Sequence, residues 1–420
     1  MATIPSIAMI PSGYKANKVY SVLPTDGSGD LDSARTTTAT RVNQNGLIEE
    51  VAIGVPRLDY TDGGCPSLLF EGNSINLITY SEDFSNAYWT KSGASVTSGF
   101  SAPSVDSPLG AFKLVEDTST STHYIKAIDL FVSDSTDRVH SIYLKPINTR
   151  YIAIGPGTAF SNNNNTLIFD TQLGVWSLNS STNAVGLDSS MDANGWWRIK
   201  IKSNSASGAY DNFMVGTANG GTSYTDATFT GDGVSGFYIF GAQVEEQSYA
   251  TSYIPTAGTT ISRTADSASK SGISSLINST QGVFYVEMSA LSDDGTARSI
   301  SLNSGSSSNR VAIQFRSLTG QINTAIVSGG VVQAVMPFTI SQTADFIKIA
   351  LVYKVNDFSL YVNGVEVGTD LSGITFTTGV LNSVNFDDGS GSEDFYGKVK
   401  DLRVYKTILS SSELTTLTTI

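Results

Sequence analysis

A single cysteine, Cys65, occurs in 420 residues, so no internal disulfide framework can stabilise the fold. Charged residues make up only 15% of the chain, the formal net charge is −13, and lysine and arginine form no basic run. This balance argues against a nucleic-acid partner held by phosphate contacts and against an anionic membrane surface. No stretch approaches the ~20 apolar residues of a membrane span, so we expect no membrane insertion.

Motifs of catalysis are also scarce. His123 and His140 are the only histidines, and neither has a metal-binding partner at short spacing. No Gly-x-Ser-x-Gly nucleophile elbow occurs in the chain. We therefore predict that the protein is not an enzyme.

Glycine, by contrast, is abundant, with 39 residues, and hydrophobic residues form 40% of the chain. Such a chain can bury a core while it covers its surface with hydroxyls and amides rather than with charge. The first eleven residues lack the basic region of a signal peptide, and Pro5 and Pro11 interrupt their apolar run. We expect a protein that is made in the cytoplasm but has the composition of an extracellular one.

Short apolar or alternating segments between clusters of turn residues predict an all-β fold. We expect two antiparallel β-sandwiches of the jelly-roll type, over residues 77–256 and 273–420, joined by a linker at 257–272. Glycine and proline interrupt residues 1–76 repeatedly, which predicts an N-terminal extended arm.

Two local signals stand out in the second sandwich. Asn363-Gly364 supplies the two positive-φ residues of a type I′ hairpin turn. Ser410-Ser-Ser-Glu413 forms a capping box that predicts a short terminal helix.

Several segments carry a family resemblance. Phe346–Lys354, Tyr361-Val-Asn-Gly364 and Phe395–Lys406 together resemble a concanavalin A-like (laminin-G-like) lectin domain. Other segments resemble tailed-bacteriophage virion proteins, of the tail-fibre or head-fibre kind, that have lectin-like sandwiches: Ala39–Asn43, Pro56–Tyr60, Leu77–Asn86, Ile168–Gly174, Gly195–Ile199, Gly241–Glu246 and Ala250–Thr256.

The resemblance implies a structural virion protein, a fibre or decoration subunit, that is located on the particle after lysis of the host. It implies a carbohydrate-binding-module-like sandwich at 77–256, adhesion to host-surface glycans, docking to other virion proteins through residues 1–76, and a homotrimer. Two alternatives stay open. The subunit is purely structural and binds no glycan, or it is a glycosidase that degrades polysaccharide.

Aromatic residues are the candidates for stacking on a sugar. Trp196 and Trp197 are neighbours on a strand and must face opposite sides, so we expect at least one of them to be reachable from outside the core. The residues proposed for ligand binding are Trp89, Trp176, Trp196, Trp197 and Tyr210.

Calcium is the inorganic ligand that the sequence favours. The segment Asp26-Gly-Ser-Gly-Asp-Leu-Asp32 places oxygen ligands at alternating positions, with Asp26, Ser28, Asp30 and Asp32 as candidates, and glycines allow tight curvature. The terminal bidentate glutamate of an EF-hand is missing, so an ordinary Gly/Asp turn is the alternative. Asp387–Glu393 is a second oxygen-rich loop.

Hydrolysis of a glycoside needs two carboxyl groups in one groove. Three adjacent pairs are available: Glu245 with Glu246, Asp293 with Asp294, and Asp387 with Asp388. Neighbours on a strand point to opposite faces, so Glu245 and Glu246 cannot share a site. The aspartate pairs lie in Gly/Ser-rich segments typical of solvated turns.

Overall fold

The computed structural model describes residues 3–127, 137–157, 159–160, 165–179, 184–204, 212–316 and 318–420. The predicted all-β architecture is confirmed, with antiparallel strands throughout and one α-helix, α1 (Ser411–Thr418), in this part of the chain. No helix here is long and apolar enough to span a membrane.

The strands of the first third are β1 (Ile7–Met9), β2 (Tyr14–Lys15), β3 (Lys18–Val19), β4 (Leu31–Ala34), β5 (Ala39–Val42), β6 (Ile48–Val51), β7 (Arg57–Asp59), β8 (Ser67–Phe70), β9 (Ser74–Asn76), β10 (Trp89–Ser92), β11 (Ala94–Phe100), β12 (Ala111–Glu116), β13 (Thr120–Thr122) and β14 (Tyr124–Ala127). Then follow β15 (Asp137–Ile147), β16 (Tyr151–Pro156), β17 (Leu167–Asp170), β18 (Val175–Leu178), β19 (Ala184–Gly186), β20 (Ser190–Met191), β21 (Trp197–Asn204), β22 (Phe213–Ala218), a 3₁₀ helix (Tyr224–Ala227), β23 (Thr228–Thr230), β24 (Gly236–Glu245) and β25 (Ile261–Arg263). The remaining strands are β26 (Ser267–Lys270), β27 (Gln281–Ala290), β28 (Arg298–Asn303), β29 (Arg310–Phe315), β30 (Gln321–Ser328), β31 (Val331–Val335), β32 (Phe338–Thr339), β33 (Ile347–Lys354), β34 (Phe358–Val362), β35 (Val365–Asp370), β36 (Ser383–Asn385) and β37 (Gly397–Tyr405).

The chain divides into two compact units. The central unit comprises residues 39–50 and 73–263, and the terminal unit comprises residues 1–38, 51–72 and 264–420. The central unit is therefore an insertion within the terminal unit, and both are assembled from separate stretches of sequence.

The central unit is a sandwich of two antiparallel sheets. The six-stranded sheet has the order β10-β14-β22-β16-β17-β18, and the seven-stranded sheet has the order β11-β12-β24-β15-β21-β19, with β20 paired to β21. Alternate residues of both sheets point inward, as the period of two requires. Ile142, Ile152, Ile199 and Ile239 are among the fully buried residues of the core.

The terminal unit has the same two-layer plan. The eight-stranded sheet has the order β35-β34-β33-β27-β37-β8-β7, with β1 on β37, and the ten-stranded sheet has the order β2-β3-β4-β26-β36-β28-β29-β30-β31, with β32 on β30. The two local predictions hold here. Asn363 and Gly364 both have positive φ, 48° and 86°, between the paired strands β34 and β35. Ser410 and Glu413 cap α1 reciprocally.

The structure differs from the predicted arm at residues 1–76. Strands β1 to β4, β7 and β8 are members of the two sheets of the terminal unit, and the β5–β6 hairpin belongs to the central unit. The predicted linker at 257–272 likewise contains β25 and β26, which pair with β9 and β4. These strands are only two to four residues long. Because segments of this length are too short to show a hydrophobic period, the sequence predicts irregular structure there.

A buried cluster of charges joins the N-terminal strands to the rest of the terminal unit. Arg57 is fully buried, and its guanidinium contacts Glu71 at 2.5 Å and also the carboxylate of Asp266. The other oxygen of Asp266 accepts from Arg35 at 2.9 Å. Burial by itself lowers the pKa of Arg57, but the charges of Asp266 and Glu71 raise it above the ordinary arginine value. Arg57 therefore stays charged and paired.

Asp266→Ala should destabilise the terminal unit by about 3–5 kcal/mol, because it leaves two buried guanidinium groups without their shared carboxylate. Urea unfolding followed by far-ultraviolet circular dichroism measures the loss of stability. Asp357→Ala is the control, since its ion pair with Lys354 is half exposed and should be worth less than about 1 kcal/mol. Equal effects of the two substitutions would contradict the structural role of the cluster.

Candidate functional site

The four tryptophans are parts of the packing of the central unit. Trp89 and Trp196 are buried, with exposed fractions of 1% and 4%. Trp176 and Trp197 are partly buried, and both pack edge-on against Phe169, at centroid distances of 5.2 and 5.1 Å. Trp196 and Trp197 do face opposite sides of their sheet, because Trp197 packs on the core between the sheets and Trp196 packs on the outer aromatic cluster. The fifth predicted residue, Tyr210, lies outside the described residues.

The candidate calcium ligands are not gathered into one site. Asp26 accepts hydrogen bonds from the backbone and hydroxyl of Ser28, and Asp30 accepts from the backbone of Ser21. Asp32 pairs with Lys18 at 3.1 Å. In the part of the chain that the structure describes, no group of three acidic, histidine or cysteine side chains is placed to hold a metal ion.

The adjacent carboxylates are engaged by donors of the protein. Glu245 is fully buried and accepts from Ser74 and Gln247, while Glu246 lies 3.3 Å from Arg138. Asp293 accepts from Gly320 and Thr343, and Asp294 pairs with Arg298. Asp387 accepts from Gly389, and Asp388 pairs with Arg310. None of the three pairs is presented as two free carboxyl groups.

Both histidines are buried in the central unit. The ring nitrogens of His123 lie 2.6 and 3.1 Å from the carbonyl oxygens of Gly93 and Phe229. Nε2 of His140 lies 2.9 Å from the hydroxyl of Ser203. These residues tie strands together and are closed to solvent.

The feature with the character of a ligand site lies in the terminal unit, on the face of β28, β29 and β30 that is turned away from the core. Ser299, Gln314 and Asn323 stand opposite one another on these three strands and form one row. Their neighbours Ile300, Ile313 and others point into the core, so the row lies on the opposite face. We call the row, with Arg310 and Arg316 on the same face of β29, the polar face.

A loop at residues 387–393 covers one side of the polar face. Glu393 accepts from Gln314 at 2.6 Å, from Ser299 at 2.7 Å, and from Arg316 at 3.4 Å. Glu393 has φ = 55°, whereas the other non-glycine residues with positive φ in the described ranges are all asparagines. A left-handed glutamate costs of order 1 kcal/mol, and such strain is concentrated at binding sites.

Asp388 fixes the other end of this loop. Its carboxylate accepts from the backbone and hydroxyl of Ser390 and pairs with Arg310 at 3.1 Å. Burial raises the pKa of Asp388, but the hydrogen bonds from Ser390 and the charge of Arg310 lower it by more. The net result is a pKa below the ordinary value. The loop is therefore held by an ionised carboxylate at neutral pH.

Asn323 leaves one hydrogen-bonding position open. Its Oδ1 atom is buried and has no donor among the described residues. An unsatisfied buried acceptor costs about 1–3 kcal/mol. Ser299 and Gln314 are themselves buried, with exposed fractions of 0% and 1%, whereas the other members of the polar face and Glu393 are partly exposed. The part that a ligand can reach therefore offers amide, carboxylate and guanidinium groups, which suit hydroxyl-rich ligands that both donate and accept.

The comparisons with known proteins agree with the fold of this unit. Residues 283–415 match the model of the concanavalin A-like lectin/glucanases superfamily. The terminal unit contains a concanavalin A-like domain. The predicted lectin fold is thereby confirmed for about a third of the chain, and the polar face lies within the matched residues. No curated protein sequence matches the chain.

Solved structures give weaker likenesses. The sialidase carbohydrate-binding module CBM40 of Ruminococcus gnavus, bound to α2,3-sialyllactose, is 19% identical over 34% of this chain and 84% of its own, with a TM-score of 0.30. Domain 4 of an extracellular GH43 arabinanase of Geobacillus stearothermophilus, with arabinotriose, is 15% identical over 41% of this chain and 83% of its own, with a TM-score of 0.31. These scores are too low to transfer a ligand or a site.

Sequence reasoning did not identify the polar face. The signal was present in β29, where Arg310, Gln314 and Arg316 alternate with apolar residues. Alternation predicts a strand with one polar side, but it does not tell which polar side chains meet across neighbouring strands.

The buried state of His140 makes a pH prediction for the central unit. Burial and then the neighbouring charge of Arg138 lower the pKa of His140 from 6.5 to about 3. Between these two values the unfolded chain binds a proton that the folded unit does not, so the free energy of unfolding should fall as pH falls below 6.5.

The expected slope from this group is at most about 1.4 kcal/mol per pH unit. Urea titrations of the central unit at pH 7, 6, 5 and 4 measure it, and His140→Gln should flatten the profile. The terminal unit, which contains no histidine, is the internal control. If the free energy of unfolding of the variant falls with pH as steeply as that of the parent protein, groups other than His140 cause the loss of stability in acid.

Proposed function

We propose that the protein is a non-enzymatic, glycan-binding adhesion subunit of a bacteriophage particle and that the polar face is its sugar-binding surface. The observation that carries the proposal is the row Ser299–Gln314–Asn323 beside Glu393, within a domain of the lectin-like fold. Asn323 and Glu393, with Arg310 and Arg316, are partly exposed and offer amide, carboxylate and guanidinium groups together, beside the buried Ser299 and Gln314.

Two considerations favour binding over hydrolysis. The three candidate carboxylate pairs are occupied by hydrogen bonds or ion pairs within the protein, as described above. The polar face itself carries Glu393, whose two oxygens already accept from Ser299, Gln314 and Arg316. A carboxylate so engaged is suited to orienting its neighbours rather than to transferring a proton.

The virion assignment is supported by the resemblances at the segments named in the sequence, from Ala39–Asn43 to Ala250–Thr256. We propose that residues 1–76 contact other virion proteins, through the exposed surface of their strands and turns and not as an extended arm. Ile4, Val22 and Ile53 are exposed there, with exposed fractions of 76%, 44% and 59%.

The proposal includes a homotrimer on the particle. A surface with few charges lowers the cost of desolvation at contacts between subunits. Copies acting together also compensate for weak single-site affinity, because linked sites bind with a high effective concentration. The rival reading is a fibre or decoration subunit that packs in the particle and binds no glycan.

Asn323→Ala should lower the affinity for the recognised glycan about fivefold, because it removes one net hydrogen bond of about 1 kcal/mol. Arrays of bacterial O-antigen and capsular polysaccharides identify the ligand and measure the change. The melting temperature should not fall, since the substitution removes a buried acceptor that has no protein donor. Asn45→Ala, at an exposed turn of the central unit, is the matched control. Absence of any glycan binding by the multivalent protein would favour the purely structural role.

Antibodies against the protein should decorate intact phage particles in electron micrographs, because the proposal places the subunit on the virion. Variants with Ile4→Asp and Ile53→Asp should fold, since both side chains are exposed, but should be depleted from purified particles. Thr61→Asp, at another exposed position of the same region, controls for added charge. Undiminished incorporation of the isoleucine variants would contradict docking through residues 1–76.

A further inference from the structure

A second surface of the molecule combines an aromatic ring with two cations. In the central unit, Tyr238 on β24 stands directly opposite Lys113 on β12 and Lys145 on β15. The three side chains therefore form a row across three neighbouring strands, with adjacent Cβ atoms about 5 Å apart.

This row lies on the outside of the seven-stranded sheet. The residues that alternate with it, Phe112, Leu114, Leu144 and Ile239, are fully or almost fully buried in the core between the sheets. Successive side chains of a strand point to opposite faces, so Lys113, Tyr238 and Lys145 face outward. All three are partly exposed.

Two aromatic rings lie beside the ring of Tyr238. Phe100 lies 5.0 Å away and Trp196 lies 6.5 Å away, measured between ring centroids. The hydroxyl of Tyr238 has no hydrogen-bond partner in the described part of the chain. A ring that neighbours fix, and whose polar end is free, loses little conformational freedom when a ligand packs on it.

The two lysines are not neutralised by the protein. Lys113 makes no hydrogen bond or ion pair within the described ranges, and Lys145 donates only to the carbonyl oxygen of Asn194, at 2.8 Å. Lys202 of the same sheet, by contrast, pairs with Asp137 at 2.6 Å. Two unpaired cations beside one ring are notable in a chain whose net charge is −13.

We infer that this row is a second sugar-binding surface, selective for acidic polysaccharides whose sugars carry carboxylates. A sugar ring packs on Tyr238, and Lys113 and Lys145 contact carboxylates of the same or neighbouring sugars. The lysines lie two strand spacings apart, about 10 Å, which suits a polymer with repeated charges better than a single small anion. The inference rests on the proposed glycan adhesion but uses a different unit from the polar face.

The experiment measures binding of the full-length protein to polygalacturonate and to dextran, an acidic and a neutral polysaccharide, by biolayer interferometry at 50 and 500 mM NaCl. We expect polygalacturonate to bind more tightly than dextran and to lose affinity at high salt, because screening weakens exposed charge pairs. Lys113→Gln and Lys145→Gln should each weaken this binding about threefold, and the double variant about tenfold. Tyr238→Ala should weaken it at both salt concentrations.

Lys354→Gln, which removes a half-exposed lysine of the terminal unit, should leave the affinity unchanged. Unchanged binding of the double lysine variant, equal binding of dextran, or equal competition by an oligothymidylate would each overturn the acidic-sugar assignment. In those cases the loss of array binding in Asn323→Ala still supports adhesion through the polar face. If no glycan binds to any form of the protein, the proposed function itself fails.

Discussion

The carboxylate of Asp266 is the point on which the assembly of the terminal unit depends. It joins Arg35, from the segment after β4, to Arg57 of β7, and Arg57 also contacts Glu71 beside β8. Buried charges are costly to remove from water, and they are tolerated only when each is paired. The cluster therefore specifies where the short N-terminal strands attach, a task that two- to four-residue strands cannot perform by hydrophobic burial alone.

Long strands, and turns with strict backbone requirements, can be predicted from the sequence. The β34–β35 hairpin and the cap of α1 follow from Asn363-Gly364 and from Ser410 with Glu413, because few other residues satisfy those geometries. The short strands cannot be predicted, because two to four residues are too few to show a hydrophobic period. Pro56–Tyr60 falls in the predicted arm, yet it contains β7 and the fully buried Arg57.

The candidate site was harder to foresee for a related reason. Tryptophan is the usual first choice for stacking on sugar, but Trp89 and Trp196 are buried because large aromatic rings contribute most to β cores. The polar face and the row around Tyr238 arise from register between strands that are distant in sequence. A single sequence shows the alternation of polar and apolar residues within each strand, but it does not show which strands pair. The side chains that meet across neighbouring strands therefore could not be predicted.

The insertion of one unit within the other has a consequence for synthesis on the ribosome. The central unit is complete once residue 263 has emerged, and domains generally fold as units during translation. Strand β1 must instead wait for β37, which lies almost four hundred residues downstream at Gly397–Tyr405. Until then Ile7 and Met9, which are buried in the finished protein, are exposed on the nascent chain, so the N-terminal segment is the part that we expect a chaperone to bind.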